Sequence, residues 1–220
     1  MGLLSFFKKS RIPPDIALFL AISKKKTKQV AIIAERHKDV INIIFGEDQL
    51  KHISYGDQCR LGYTSFCSKT PLSYAIRLGH MDIIEILLKN GAEITGRAIL
   101  ETIPTYKESS DGKPFWPTDE QRKRAKEVLS LLLSYGADIN RKAEEEGYSG
   151  SMAERTALHL AAGQGDVDLV QWLLEAGADP TAQDCYGWTP LEFARQVQHN
   201  TPPIVSLLSD KSCLEKSELK

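Results

Sequence analysis

Long hydrophobic runs, a sizeable net charge and closely spaced cysteine pairs are all missing from this chain of 220 residues. No apolar stretch reaches the roughly 18 residues of a membrane span. The opening segment places Lys8 and Lys9 after the short apolar run Leu3, Leu4, Phe6 and Phe7. That order is the reverse of a secretory leader, so none is expected. Its 28 basic and 29 acidic side chains nearly cancel, which removes any global pull toward nucleic acid, and no nucleic-acid partner is expected. The four cysteines, Cys59, Cys67, Cys185 and Cys213, are scattered. They form no CxxC pair and no zinc-like Cys/His spacing, which predicts free thiols in a reducing cytoplasm, with no metal and no cofactor. Catalytic signatures are lacking too: there is no Gly-x-Ser-x-Gly, no phosphate loop and no HExxH. Cys59 or Cys67 with His52 is a pairing that chance supplies in chains of this length, so no enzyme is expected.

What the sequence does contain is a repeat. Thr156-Ala157-Leu158-His159-Leu160-Ala161 returns at Thr189-Pro190-Leu191-Glu192-Phe193-Ala194, a period of 33 residues. Leu158, Ala161, Val170 and Gly177 have the same offsets as Leu72, Ala75, Ile84 and Gly91, and Leu18, Ala21 and Val30 share the first two. Local chemistry explains the letters. Thr70 and Thr189 are N-cap residues, and Pro71 and Pro190 follow where an N–H would be orphaned anyway. The turns Gly79-His80 and Gly165-Asp166 lead into second helices with apolar residues at helical spacing: Ile83, Ile84, Leu87 and Leu88, then Val167, Val170, Leu173 and Leu174. Gly91, Gly136 and Gly177 stop them in the left-handed conformation. Helix pairs of this length cannot bury a core alone and must stack on their neighbours.

These letters resemble the ankyrin repeat, with the strongest match over 64–95 and 154–208. The run Asp184-Cys185-Tyr186-Gly187-Trp188-Thr189-Pro190-Leu191 carries the family pattern. The resemblance implies an all-α solenoid of stacked helix-turn-helix units with turn fingers. Its domain would span 13–208: a capping unit at 13–46, then units 64–95, 96–140, 154–183 and 184–208. Residues 1–12 form an apolar and basic lead, and 209–220 a charged tail.

Three departures stand out. The capping unit's second helix is expected to run from Thr27 to Phe45, with an extended connection over 47–69. The second unit's first helix is expected to start near Arg97 and include Ile103, and an insertion at 104–118 replaces its tight turn. The link from Asn140 to Thr156 is eight residues longer than that from Gly177 to Thr189, and its Glu144-to-Gly150 run reads as a polar loop.

The resemblance implies a non-catalytic module that binds another protein through the concave surface of fingers and first helices, as a monomer. The positions that vary between units are Lys69 and Arg77; Arg155 and Gln164; and Tyr186, Trp188 and Gln196. Tyr186 and Trp188 are the leading contacts, because rigid aromatics dominate binding hot spots. Packing on the neighbouring finger is the alternative for Trp188. Phe115 and Trp116 in the insertion read either as a binding patch or as a lid over the second unit. His159 is expected to bond neighbouring turns. Residues 8–38 hold nine Lys or Arg and two Asp or Glu, so membrane contact through 1–28 is the competing reading. The tail Leu214–Lys220, with Glu215 and Glu218, resembles a secretion signal of ankyrin-type bacterial effectors, which would place the protein in a host cytosol.

Overall fold

The structure, a computed structural model, describes residues 12–44, 70–104, 107–108, 114–115, 117–143, 154–196 and 203–209, with 107–108 and 114–115 described by backbone alone. Its contacts divide the chain into two units, Met1–Glu93 and Ile94–Lys220. Inside each, helices pair and stack as the period requires.

The first unit holds α1 (Pro14–Ser23), α2 (Thr27–Arg36), α3 (Pro71–Leu78) and α4 (Met81–Lys89). First helix lies on first helix, α1 on α3, and second on second, α2 on α4. Thr70 caps α3 by accepting the Ser73 N–H at 3.2 Å, and Pro71 follows it. The helix ends at Gly79, whose φ of 71° lets the Gly79 and His80 N–H groups reach the carbonyls of Ile76 and Ala75. Leu18, Phe19, Ile22, Val30, Ile33, Leu72, Ile83, Ile84 and Leu87 are buried. Each such side chain contributes on the order of 1.5–3 kcal/mol when fully removed from water. Burial also pushes the Tyr74 phenol up to about 12, with the Arg77 charge opposing.

The helix expected to reach Phe45 stops at Arg36. His37 occupies the position that Gly91 and Gly177 hold elsewhere, seven residues after Val30. Its φ of −127° leaves the helix without needing glycine. A 3-10 turn, Lys38–Val40, then tucks Val40 and Ile41 into the core. The reason is packing: α4, on which α2 lies, ends at the matching point, and further turns would have no apolar face to cover. Asn42 follows, donating to Gly91 O at 3.3 Å and accepting from Glu93 N at 2.8 Å. The expected extended connection at 47–69 lies outside the described residues.

The second unit holds α5 (Gly96–Leu100), α6 (Asp119–Ser134), α7 (Ala157–Gly163), α8 (Val167–Glu175), α9 (Pro190–Gln196) and α10 (203–209). α5, α7 and α9 stack in order, α6 lies on α8, and α7 packs against α8. α5 begins at Gly96, next to the expected Arg97, where Thr95 caps it by accepting the Ala98 N–H. It ends at Leu100, and Ile103 is buried from the turn that follows. Gly96 is required by close approach: a Cβ there would lie 1.9 Å from the Lys142 carbonyl oxygen. Within the insertion, Lys107–Glu108 pairs antiparallel with Pro114–Phe115, a small ribbon that the helical period gives no sign of. Thr118 and Gln121 then form a capping box that starts α6.

Asn140 repeats the role of Asn42, donating to Gly177 O at 3.1 Å and accepting from Asp179 N at 2.8 Å. The long link is closed at its neck, where Ala143 N donates to Arg155 O and Glu154 N to Ala143 O. The polar run 144–150 lies outside the described residues, as does the tail 210–220.

Candidate interaction surface

The finger between α8 and α9 is built around one carboxylate. Asp184 accepts the N–H groups of Tyr186 at 2.9 Å and Trp188 at 3.1 Å. Its own N–H donates to Trp188 O, and Gly187, at φ 75°, donates back to Asp184 O. These bonds leave the short loop little freedom. Asp184 is 4% exposed. Burial by itself would raise its carboxyl pKa, but the Trp188 and Tyr186 N–H bonds and the Arg155 guanidinium outweigh it and hold the group below the usual carboxylate range.

Two side chains from α7 and its entry clamp the finger from beneath. Arg155 donates through Nε to Asp184 Oδ2 at 3.2 Å, and its guanidinium lies 4.0 Å over the Phe193 ring. His159 accepts the Thr156 N–H through Nδ1 at 3.3 Å, so its proton sits on Nε2, which donates to Trp188 O at 2.9 Å. The expectation that His159 joins neighbouring turns therefore describes the geometry. Burial lowers the imidazole pKa, and the bond to Trp188 O and the Asp184 charge only partly offset this. The ring is neutral at pH 7. Phe193 in turn fits against Gly163, where an added Cβ would meet its ring at 2.4 Å.

On this base, Tyr186 is 53% exposed and Trp188 half-buried, their ring centroids 5.3 Å apart and tilted by 33°. Trp188 thus packs on its own finger and still presents surface. Gln164 is half-buried at the end of α7, and Gln196 is exposed at the end of α9. Arg77 is exposed in the last turn of α3, at the repeat position that Gln196 holds in α9. Lys69, the Phe115 side chain and Trp116 lie outside the described residues.

Arg155 differs from its expectation as an exposed contact: it is 8% exposed. The physical reason is the buried Asp184, which would be costly without a cation. Nothing in the sequence signalled that pairing, since the two residues lie 29 apart. A second such brace also escaped the periodicity. Arg122 on α6 donates to Asp166, the N-cap of α8, at 2.8 Å, and also to Asp119. The Asp166 bond is the leading cause that raises the Arg122 pKa further.

No group of His, Cys, Asp and Glu suited to a metal ion occurs among the described residues. Cys185 is a free, exposed thiol, and Cys59, Cys67 and His52 lie outside the described residues. No helix among those residues is long and apolar enough to cross a membrane.

Stacked helix pairs closed by hydrogen-bonded fingers define a helical repeat protein. Comparison with known proteins supplies the family. The family model described as "Ankyrin repeats (3 copies)" matches residues 121–217, and that described as "Ankyrin repeat" matches 68–98, together more than half of the chain. The chain belongs to the ankyrin repeat family. It is 28% identical over 132 residues to Protein HOS4 of Saccharomyces cerevisiae, covering 60% of this chain and 10% of that protein. It is 32% identical over 126 residues to the B-cell lymphoma 3 protein homolog of Mus musculus, covering 57% of this chain and 24% of that one. It is also 42% identical over 74 residues to Potassium channel AKT1 of Oryza sativa subsp. indica, covering 34% of this chain and 7% of the channel. The chain thus spans a quarter or less of each of these relatives. Ankyrin repeats mark a protein–protein interaction module and are typically scaffolds without catalytic activity.

Proposed function

We propose that the chain binds a partner protein, as a monomer and without catalysis, through the finger 184–188 and the exposed ends of the first helices. Tyr186 and Trp188 are the anchors, with Gln164 and Gln196 at their margin; Arg77 offers the matching position in the first unit. The observation that carries this reading is the aromatic pair standing on a finger already locked by Asp184, Arg155 and His159. A surface ordered before it meets its partner loses little conformational entropy on association. Arg155 supports the finger from within and is not among the contacts.

Affinity capture tests the reading with wild type, Tyr186→Ala, Trp188→Ala and, separately, Phe115→Ala/Trp116→Ala. Tyr186→Ala is expected to lose the prey while its Tm stays within about a degree or two, because exposed substitutions move stability by only about 0.5 kcal/mol. Retention of the same prey by Tyr186→Ala and Trp188→Ala would move the binding face elsewhere. Action as a bacterial effector in the cytosol of a host cell is a finer part of the proposal, resting on the tail composition alone. Delivery unchanged by removing 211–220 would eliminate it.

A further inference from the structure

We propose that the turn between α1 and α2 docks the protein on an anionic lipid surface. This inference does not depend on the finger and stands on a different observation. Lys24, Lys25, Lys26 and Lys28 are all exposed, four cations within five residues. Lys25 sits at φ 49°, in the left-handed region. The same place in the other tight turns, seven residues after Leu72 and Leu158 as Lys25 is after Leu18, is taken by Gly79 at φ 71° and Gly165 at φ 75°.

The three turns are wired identically. Lys25 N donates to Ile22 O and Lys26 N to Ala21 O. Gly79 and His80 donate in the same way to Ile76 and Ala75, and Gly165 and Asp166 to Ala162 and Ala161. Glycine therefore builds this turn without strain, and a lysine there carries a conformational cost that the fold does not need. What the lysine adds is a charge at the tip of the turn, in the centre of the cluster. A strained residue of this kind motivates a functional hypothesis, and here the exposed charges supply its content.

Among the described residues, the acidic groups of α1, α2 and α4 define what the turn can bind. Asp82 on α4 faces it, but accepts the Thr27 hydroxyl at 2.6 Å, and that bond is the leading cause of its lowered pKa, with the Lys25 charge a lesser one. Asp15 stands toward the far end of α1, and Glu35 and Asp39 lie at and beyond the far end of α2, each about 10 Å or more along a helix from the nearest of these lysines. All four cations are lysine, a compact ammonium on a flexible stem, not the planar fork of arginine that fits one carboxylate bidentately. Such a cluster suits a laterally averaged field of lipid phosphates and carboxylates better than a single acidic side chain.

Co-sedimentation of the full chain with vesicles tests this, comparing phosphatidylcholine alone with phosphatidylcholine mixed with phosphatidylserine. Wild type is expected to sediment only with the mixed vesicles and to be released by salt. Lys25→Gly is expected to weaken partitioning about fivefold, the usual effect of one lysine at such a surface, while Tm rises by about 2–4 °C as the strain is removed. Lys24→Ala/Lys26→Ala/Lys28→Ala is expected to weaken it by about a hundredfold. Equal sedimentation with neutral vesicles, partitioning unchanged in Lys25→Gly, or binding to polyglutamate but to neither vesicle would overturn the proposal. The last of these would assign the turn to an acidic polypeptide.

Discussion

In the first unit, Leu18, Phe19 and Ile22 of α1 are fully buried, and polar ties toward α4 and the turn after it lie at the rim, where Thr27 meets Asp82 and Asn42 meets Gly91 and Glu93. Between α7 and α9 the arrangement is reversed. There the polar ties run inside, through Arg155 to Asp184 and through His159 to Trp188 O, under a finger whose tip is aromatic and exposed. Apolar contact holds helices together but fixes directions only through shape. Hydrogen bonds and ion pairs are directional, and buried ones are expensive to misplace. The finger that carries Tyr186 and Trp188 is the one held by these buried polar ties. The region that ends in the lysine-rich turn is held chiefly by the apolar faces of its stacked helices.

Three substitutions bear on this contrast. Phe19→Ala should have the largest effect, about 3–5 kcal/mol of stability by urea denaturation, because it empties a fully buried aromatic site. A loss under about 1 kcal/mol would mean that α1 is not held by its core. Arg155→Ala should cost about 3 kcal/mol, as it leaves the Asp184 carboxylate buried without its cation. It should also loosen the finger, visible as faster amide exchange at Tyr186 and Trp188. Stability lost with exchange unchanged would separate the ion pair from finger order.

The smallest effect is one of pH. The folded pKa of His159 is depressed, so below the unfolded imidazole value of about 6.5 the unfolded chain takes up a proton that the folded chain refuses. The stabilisation is complete at neutral pH and is lost as pH falls from there toward the folded value. Asp184, also depressed, adds a second loss at lower pH, below about 4. His159→Gln should be less stable at pH 7 yet show a flatter fall of Tm between pH 7 and 5. Parallel curves for the two proteins would assign the acid sensitivity to other groups.

Much of the scaffold was legible because its signals are local. Thr70 with Pro71 and Gly79 announces a helix start and stop within nine residues, and the structure shows the cap and the left-handed end. Features set by contacts distant in sequence were not legible. The end of α2 at Arg36 depends on α4, the need for glycine at 96 depends on Lys142, and the pairing of Lys107 with Phe115 crosses a segment without periodicity. Among the candidate contacts, Tyr186 and Trp188 were chosen from residue type and position, and the structure shows the first exposed and the second half-buried on the finger. Arg155 was misread because a variable position carrying a large cation looks the same whether or not a buried carboxylate waits beneath it.

By itself the amino-acid order determined a repeat of helix pairs, the residues that begin and end most of them, and which faces are apolar. Those properties follow from backbone geometry over a few residues, and so from the letters in one turn. The tertiary structure decided which polar side chains are sealed inside, that Arg155 serves Asp184, and that Lys25 holds a shape suited to glycine. Burial and partner choice are properties of elements brought together across tens of residues, and no local pattern encodes them.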